Sequence, residues 1–208
     1  MNEDKIINLV QNEILHRDNL KSYLECILLI SKKLIRTFNL GKRLYLCGNG
    51  GSNADASHIA SEFIKNFMIN RRCNLINNNS NHNNMLSRLQ LGLPAFSLSN
   101  GENITAIAND MDYSLIYAQQ VFTYCNRDDV LILFSTSGNS ENVINAAKTA
   151  KEMGVYAIAF TGDQDNKLQL FCDYGVRVGF PTTAQIQETY MSIMHVVCAV
   201  VEQIIFNK

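Results

Sequence analysis

Apolar positions along the chain follow two periods that alternate with one another. Residues 3–38 carry Ile, Leu and Val at helical spacing without Gly or Pro, which predicts one long helix or two shorter ones. After this helical arm, short uninterrupted apolar runs alternate with helical segments. Such alternation is typical of βαβ units, so it predicts a parallel sheet with helices on both faces and right-handed crossovers.

Five apolar runs are predicted strands. They are Arg43–Cys47, Pro94–Leu98, Asp129–Phe134, Tyr156–Phe160 and Tyr174–Val178. The predicted helices that follow or separate them are Ala54–Met68, Tyr113–Tyr124, Ser140–Met153, a short one at Leu168–Phe171 and a long apolar one at Ala184–Phe206. Gly154 is a candidate C-cap. An Asn-rich tract at residues 74–90, which contains His82, lacks periodicity and is predicted to be a surface loop.

Composition narrows the class of protein. The 208 residues are 47% apolar and 18% charged, enough for one domain with a sizeable core. The net charge of −1 argues against a protein that binds nucleic acid mainly through its overall charge. The N-terminus lacks the pattern of a secretory signal, and the longest uncharged apolar run, about residues 190–201, is short for a membrane span of ~20 residues.

Cysteine usage indicates the compartment. The six cysteines are scattered without a CxxC pair, and most lie in apolar runs: Cys26, Cys47, Cys73, Cys125, Cys172 and Cys198. This arrangement favours buried free thiols over a disulfide framework. We therefore expect a cytoplasmic protein without membrane association.

Two strand ends run into loops of small residues and then into helices. The first loop is GNGGS at residues 48–52, and the second is STSGNS at residues 135–140. Converging backbone N–H groups and a helix N-terminus favour an anion, and the hydroxyls of the second loop can surround a phosphate without a lysine. Neither loop is a Walker A motif, and Asn53 stands where a third dinucleotide-binding glycine would fall. An ordinary turn with an N-cap is the alternative interpretation.

Histidines and carboxylates supply the other candidate chemistry. His58 and Glu62 stand at i and i+4 on the helix after the first loop, a spacing that suits a metal pair, an acid/base pair or a plain surface ion pair. His195 lies in the apolar last helix, where it is either a core residue or a ligand. Gln187 precedes it by eight residues, ~12 Å along a straight helix, so the two share a ligand only through an irregular turn or through different subunits.

Four segments together carry a family resemblance. They are CGNGGSNADASHIASE, TAIAND (residues 105–110), FSTSGNSENVI and QIQETYMSIMH, which fall in this order within residues 40–205. The chain resembles the sugar isomerase (SIS) domain and, within it, the sedoheptulose-7-phosphate isomerases, also called phosphoheptose isomerases. The resemblance implies one SIS domain over residues 1–208, with N-terminal helices at 1–40 and a flavodoxin-like, five-stranded α/β core at 41–208.

The resemblance also implies roles for individual residues. The phosphate cradle would be Ser135, Thr136, Ser137 and Ser140, and the sugar would contact Asn49, Gly50, Gly51, Ser52, Asn109, Asp110, Glu62 and Gln187. Glu62 and His195 would be the catalytic acid/base pair. One zinc ion per subunit would be held by His58, Glu62, Gln187 and His195. The family implies a homotetramer whose active sites lie at subunit interfaces, with no nucleic acid and no membrane as partner.

The implied reaction is an aldose–ketose isomerisation. It converts D-sedoheptulose 7-phosphate to D-glycero-D-manno-heptose 7-phosphate through an enediol, the first step of heptose biosynthesis. Glu62 would take the carbon proton and His195 the oxygen proton, or the reverse. Two alternatives stay open. One is an isomerase of another phosphosugar, because Asn66 and Ala184-Gln185 depart from the arginine and Asp-Arg pair common in the family. The other is a non-catalytic relative that binds the replication initiator, although such relatives lack the counterparts of Glu62 and His195.

Overall fold

The computed structural model describes residues 3–71 and 85–207. Its five strands are β1 (Leu44–Gly48), β2 (Ala95–Ser97), β3 (Val130–Phe134), β4 (Tyr156–Gly162) and β5 (Tyr174–Val178). All neighbours pair in parallel, in the order β2-β1-β3-β4-β5. This order confirms the predicted five-stranded, flavodoxin-like sheet.

The α-helices of the described residues are α1 (Glu3–Ile14), α2 (Leu24–Asn39), α3 (Gly51–Ile64), α4 (Gly101–Asp110), α5 (Ala118–Tyr124), α6 (Glu141–Met153) and α7 (Thr183–Phe206). Short 3₁₀ helices lie at Asp18–Tyr23, Met85–Arg88, Tyr113–Leu115 and Leu168–Phe171. The N-terminal arm is therefore two helices. Gly154 caps α6 in the left-handed conformation, with φ 71°, as predicted.

Three helix predictions differ from the structure. The helix predicted at Tyr113–Tyr124 is a 3₁₀ turn followed by α5. The helix predicted to reach Met68 ends at Ile64, because the following backbone bonds to α7 instead of continuing the helix. Helix α4 was not predicted: it spans only ten residues, and its apolar side chains, among them Ile104 and Ile107, are only partly buried against the second layer. Within the predicted loop at 74–90, residues 85–88 form a 3₁₀ helix, whereas Cys73 and His82 lie outside the described residues.

Alternate residues of the strands point into two apolar layers, one on each face of the sheet. Leu44 and Leu46 face the layer built by α1, α2, α3 and α7, whereas Tyr45 and Cys47 face the layer built by α5 and α6. The strands β1 and β3 are buried at every position. A strand buried on both faces reads as a continuous apolar run, which is why these two were visible in the sequence.

Helix α7 is the central helix of the first layer. By length and composition it could cross a membrane, yet 61% of its most apolar window is buried inside the protein, as in the core helix of a soluble protein. The apolar stripe of α1, Ile6, Val10 and Ile14, packs in the same cluster. Lys5 Nζ donates a hydrogen bond to the carbonyl of Asn207, 3.3 Å away, so the first and last helices lie side by side.

The two candidate loops leave the sheet at neighbouring points. Gly48 pairs with Phe134 in the β1–β3 register, so both loops begin at the same level. The chain then turns to α3 in one layer and to α6 in the other. This divergence is the topological switch point of the sheet, where ligands of open α/β sheets bind.

Candidate active site

The first loop brings α3 very close to the end of β3. A Cβ at Gly48 would lie 2.8 Å from both the Phe134 carbonyl oxygen and the Ser52 Cβ, so no side chain fits there. Gly50 has a φ of +53°, in the left-handed region that favours glycine. These two glycines place the N-terminus of α3, which begins at Gly51, at the switch point. The positive end of its helix dipole thus faces the site.

The second loop gathers hydroxyl groups around the N-terminus of α6. Ser135 Oγ accepts from the Gly138 N–H at 3.2 Å and lies 3.4 Å from Ser140 Oγ. Ser140 occupies the N-cap position of α6, but its side chain makes no capping hydrogen bond. Thr136 and Ser137 line an adjoining cavity. The four predicted cradle residues therefore lie together, with hydroxyls and backbone N–H groups available to an anion.

An amide pair joins the two loops. Asn49 Nδ2 donates to Asn142 Oδ1 at 2.9 Å, and Asn142 Nδ2 donates to Asn49 Oδ1 at 2.8 Å. Asn142 lies in α6 and is only 2% exposed. The side chain of Asn49 is thereby engaged with Asn142, while its backbone stays part of the loop. Asn142 lies in the segment FSTSGNSENVI, but no role was predicted for it.

Helices α3 and α7 bring three of the predicted chemical groups together. His58 Nε2 lies 3.0 Å from His195 Nε2 and 3.7 Å from Glu62 Oε1. The other carboxylate oxygen of Glu62 accepts from Lys65 Nζ at 2.5 Å. Glu62 is buried, whereas the Lys65 side chain is 55% exposed at the rim. The arrangement provides a carboxylate and two imidazoles within reach of one small ligand.

Burial and charge set the protonation of this cluster. Burial, and next the neighbouring His58, lower the pKa of His195, against an opposing effect of Glu62. A neutral imidazole at neutral pH follows. Burial also raises the pKa of Asp55, against an opposing effect of His58. Asp55 Oδ2 is buried without a hydrogen-bond partner in the part of the chain that the structure describes, and Asp55 borders the groove that contains His195.

Two sets of predicted residues lie away from this cluster. Gln187 Nε2 donates to Ser52 Oγ at 3.3 Å and packs against Gly51. Because α7 is one continuous helix, His195 lies ~12 Å further along it, although both residues border the same groove. Asn109 and Asp110 are exposed at the end of α4, where the Asn109 amide donates to the Asp110 carboxylate at 2.8 Å.

The donors at the cluster fit zinc in their chemistry. Tetrahedral zinc holds nitrogen and oxygen atoms at ~2.0–2.2 Å, which places neighbouring ligand atoms about 3.3 Å apart. The spacings of 3.0 and 3.7 Å at His58 are close to that value. Across residues 3–71 and 85–207, however, no three His, Cys, Asp or Glu residues already stand in the arrangement of a metal site.

Comparison with known proteins identifies the family. A model of the SIS domain matches residues 79–162. The phosphoheptose isomerase of Thermodesulfovibrio yellowstonii is 38% identical over 211 residues, covering 99% of this chain and 94% of that protein. That of Clostridium acetobutylicum is 38% identical over 89% of this chain and 86% of its own length.

The chain belongs to the phosphoheptose isomerase family.

Solved structures agree with this assignment. The phosphoheptose isomerase from Neisseria gonorrhoeae superposes with a TM-score of 0.74 at 28% identity, covering 92% of this chain and 94% of that one. The enzyme from Francisella tularensis gives 0.73 at 28% identity, with 98% and 99% covered. The predicted family and isomerase activity are thus confirmed.

Several residues at the phosphoheptose isomerase site escaped sequence reasoning. Asn142 clamps the first loop, Lys65 bonds the Glu62 carboxylate, and Phe67 stacks on the His195 ring with centroids 5.6 Å apart. Only Lys65 carried a signal, because its i+3 spacing from Glu62 is that of a helical ion pair. The predicted helix Ala54–Met68 included Phe67, but the backbone leaves the helix after Ile64, so helical periodicity gave its ring the wrong position.

Proposed function

We propose that this isomerase interconverts D-sedoheptulose 7-phosphate and D-glycero-D-manno-heptose 7-phosphate, as the first step of heptose biosynthesis. The observation that carries the proposal is the convergence of Glu62, His58 and His195 beside two anion-binding loops. A protein that only binds a phosphosugar has no need of a buried carboxylate paired with imidazoles. The names of the relatives support the choice of a seven-carbon sugar phosphate.

The second loop holds the phosphate. Hydroxyls of Ser135, Thr136, Ser137 and Ser140 and the N-terminus of α6 bind the anion away from the reacting carbons. This remote binding energy fixes the position of the sugar, so the reacting end is presented to α3 and α7. The first loop, through Gly50, Gly51 and Ser52 with Asn49, lines the sugar between the two ends.

Proton transfer occurs at the Glu62 end. The Glu62 carboxylate removes a proton from C1 of the ketose, and the neutral His195 imidazole gives its N–H proton to the C2 carbonyl oxygen, which forms the enediol and leaves an imidazolate. His195 then takes the proton from the C1 hydroxyl, and Glu62 returns its proton to C2, which yields the aldose and restores both groups. If Glu62 and His195 exchange these two roles, the number of protons taken and returned stays the same. Lys65 keeps one carboxylate oxygen occupied and leaves the other toward the histidines.

We propose zinc as the cofactor, held by His58, Glu62, Gln187 and His195. A bound zinc ion supplies Lewis-acid polarisation of the carbonyl oxygen. His58→Ala should weaken zinc binding, measured by competition with a chromophoric chelator. His16→Ala, on an exposed histidine of the N-terminal corner, is the matched control. Equal zinc affinity in wild type and His58→Ala would contradict this set of ligands.

We also propose a cytosolic homotetramer with active sites between subunits. The separation of Gln187 from His195, and the exposed position of Asn109 and Asp110, support a site that a second subunit completes. The cysteines that the structure describes are free, in keeping with a reducing compartment: Cys26, Cys47, Cys125, Cys172 and Cys198. Light scattering after size-exclusion chromatography tests the tetramer, and a monomer with full activity would overturn the shared site.

The deciding experiment is a coupled isomerase assay with sedoheptulose 7-phosphate. We expect wild type and His16→Ala to turn over and His195→Ala to lose turnover. Glu62→Gln should lose turnover while still binding the substrate in calorimetry. Activity in Glu62→Gln close to wild type would refute the mechanism.

A second candidate substrate class deserves a parallel assay. Asn66 and Ala184-Gln185 stand where the family commonly has charged residues, and Ala184 borders the groove at His195. We would therefore offer hexose 6-phosphates and pentose 5-phosphates beside the heptose. A larger kcat/KM on either would move the assignment to that sugar and leave the acid/base roles unchanged.

A further inference from the structure

Glu202 is a fully buried carboxylate near the end of α7, and it accepts hydrogen bonds from the backbone that follows α3. The N–H groups of Phe67 and Met68 each donate to it at 2.7 Å, and that of Ile69 donates at 3.1 Å. Arg71 Nε donates at 2.6 Å, and both side chains of this ion pair have 0% exposure. Glu202 therefore satisfies three successive backbone donors and one buried charge.

Arg71 connects the backbone that follows α3 to a second pair of contacts. Its Nη1 donates to the Phe63 carbonyl, 2.9 Å away in the last turn of α3. The guanidinium carbon lies 4.5 Å from the centre of the Phe206 ring. Residues 66–71 are thus fastened to α3 and to α7 at once. We call this stretch the α3–α7 strap.

The strap places one aromatic ring against the active site. The Phe67 ring stacks on the His195 ring, with centroids 5.6 Å apart and planes 24° apart. His195 also contacts the His58 ring, with centroids 5.2 Å apart and planes 68° apart. The His195 imidazole thus contacts two rings, and its Nε2 lies 3.0 Å from the His58 Nε2.

We propose that Phe67 and Glu202 are positioning residues for His195. The proposal rests on the proposed function, in which His195 moves a proton. Glu202 lies seven residues after His195, about two turns along the same face of α7, so one helix carries both the catalytic histidine and the anchor of its packing partner. Neither residue touches the substrate. They act by removing the rotational freedom of the imidazole before the sugar binds.

The test compares four variants of the full-length protein. Phe67→Leu keeps an apolar side chain but removes the ring plane, and Phe67→Tyr restores the plane. Phe38→Leu is the matched control, because Phe38 packs on Phe63 in the core, with ring centroids 5.5 Å apart, away from His195. Glu202→Gln leaves Arg71 buried without its counter-charge and risks unfolding. Phe67→Leu therefore carries the test.

For Phe67→Leu we expect kcat to fall roughly 10- to 100-fold with KM unchanged, the range for a misplaced catalytic group. Phe67→Tyr should recover wild-type kcat, and Phe38→Leu should lower the thermal midpoint without lowering kcat. A second readout is independent of turnover. In histidine-labelled, chelator-treated protein, the relaxation of the His195 ring signals, assigned with His195→Ala, should show a more mobile imidazole in Phe67→Leu and an unchanged one in Phe67→Tyr and Phe38→Leu.

The two readouts separate the possible failures. Wild-type kcat together with unchanged His195 signals in Phe67→Leu would overturn the positioning role. An equal loss of kcat in Phe38→Leu would reduce it to general stability. If wild type shows no isomerase turnover on any of the sugar phosphates, the proposed function fails, and the His195 signals alone still decide whether Phe67 orders the ring.

Discussion

Asn49, in the loop after β1, exchanges two amide hydrogen bonds with Asn142, in the first turn of α6. The pair lies where the chain diverges to opposite faces of the sheet. The amides therefore tie the loop proposed to line the sugar to the helix whose N-terminal loop is proposed to hold the phosphate.

Asn142→Ala should loosen both loops. It leaves the Asn49 amide without its partner, which costs about 1–3 kcal/mol of unfolding free energy. It should also raise KM for the phosphosugar more than it lowers kcat. Urea unfolding and steady-state kinetics measure the two effects. Asn145→Ala is the control, because Asn145 lies on the same helix and its side-chain amide donates to the Ser114 carbonyl instead of to Asn49. A KM unchanged from wild type in Asn142→Ala would show that the loops hold their spacing without the pair.

Lys65→Met should lower kcat with little change in stability. The ammonium of Lys65 bonds Glu62 at 2.5 Å, but the lysine side chain is 55% exposed, and exposed ion pairs contribute about 0–1 kcal/mol. Its loss frees the Glu62 carboxylate to rotate from the histidines. Lys21→Met is a matched control, since Lys21 makes an i,i+3 pair of the same length with Asp18 on the surface. Lys65→Arg should retain most activity, and equal kcat in Lys65→Met and Lys21→Met would dismiss the role.

Gly51→Ala should displace Gln187. A Cβ at Gly51 would lie 2.7 Å from Gln187 Nε2, the mobile end of that side chain. We expect a higher KM in the single variant, and no further rise when Gln187→Ala is already present. The resulting coupling energy should fall within about 0.5–3 kcal/mol.

The control for this cycle is Gly101→Ala. Gly101 also begins a helix, and a Cβ there meets no atom within 4 Å. Additive effects of Gly51→Ala and Gln187→Ala would mean that Gln187 takes its place independently of the first loop.

Buried thiols should make stability fall at alkaline pH. Burial raises the pKa of the Cys125 thiol to about 12, whereas an unfolded cysteine titrates near 8.5. Above the unfolded value the unfolded chain loses a proton that the native protein keeps, so stability declines by ~1.4 kcal/mol per pH unit for this thiol. Cys125→Ala lacks this thiol, so the difference in unfolding free energy between wild type and the variant should become smaller from pH 9.5 to 10.5. Urea titrations under reducing conditions measure it. A constant difference would show that the thiol ionises equally in both states.

The sequence revealed those parts of the fold that follow a regular period. The runs at β1 and β3 are buried on both faces, and the Gly and Ser loops stand directly after them, so sheet, switch point and cradle were all predictable. The family resemblance pointed to Glu62 and His195, which the structure brings to one cluster with His58.

The missed features depend on contacts between distant parts of the chain. Phe67 meets His195 only because Glu202, 135 positions away, bonds its backbone. From the sequence alone, a single acidic residue in an apolar helix, such as Glu202, does not indicate which donors will bond to it. The pairing of Asn142 could not be predicted either, because its partner Asn49 lies 93 positions earlier. Helix α4 is only ten residues long, and its short apolar stripe, which contains Ile104 and Ile107, was not recognised in the sequence.

The contact between α1 and α7 has a consequence for how the protein is made. The apolar stripe of the first helix finds its partner in the last, and Lys5 reaches the carbonyl of Asn207. During synthesis the ribosome must pass residue 206 before α7 can cover that stripe. Helix α7 also carries Gln187, His195 and Glu202, so the proposed acid/base cluster and its strap form only after α7 has been made. A nascent chain that stops before α7 can form neither of them.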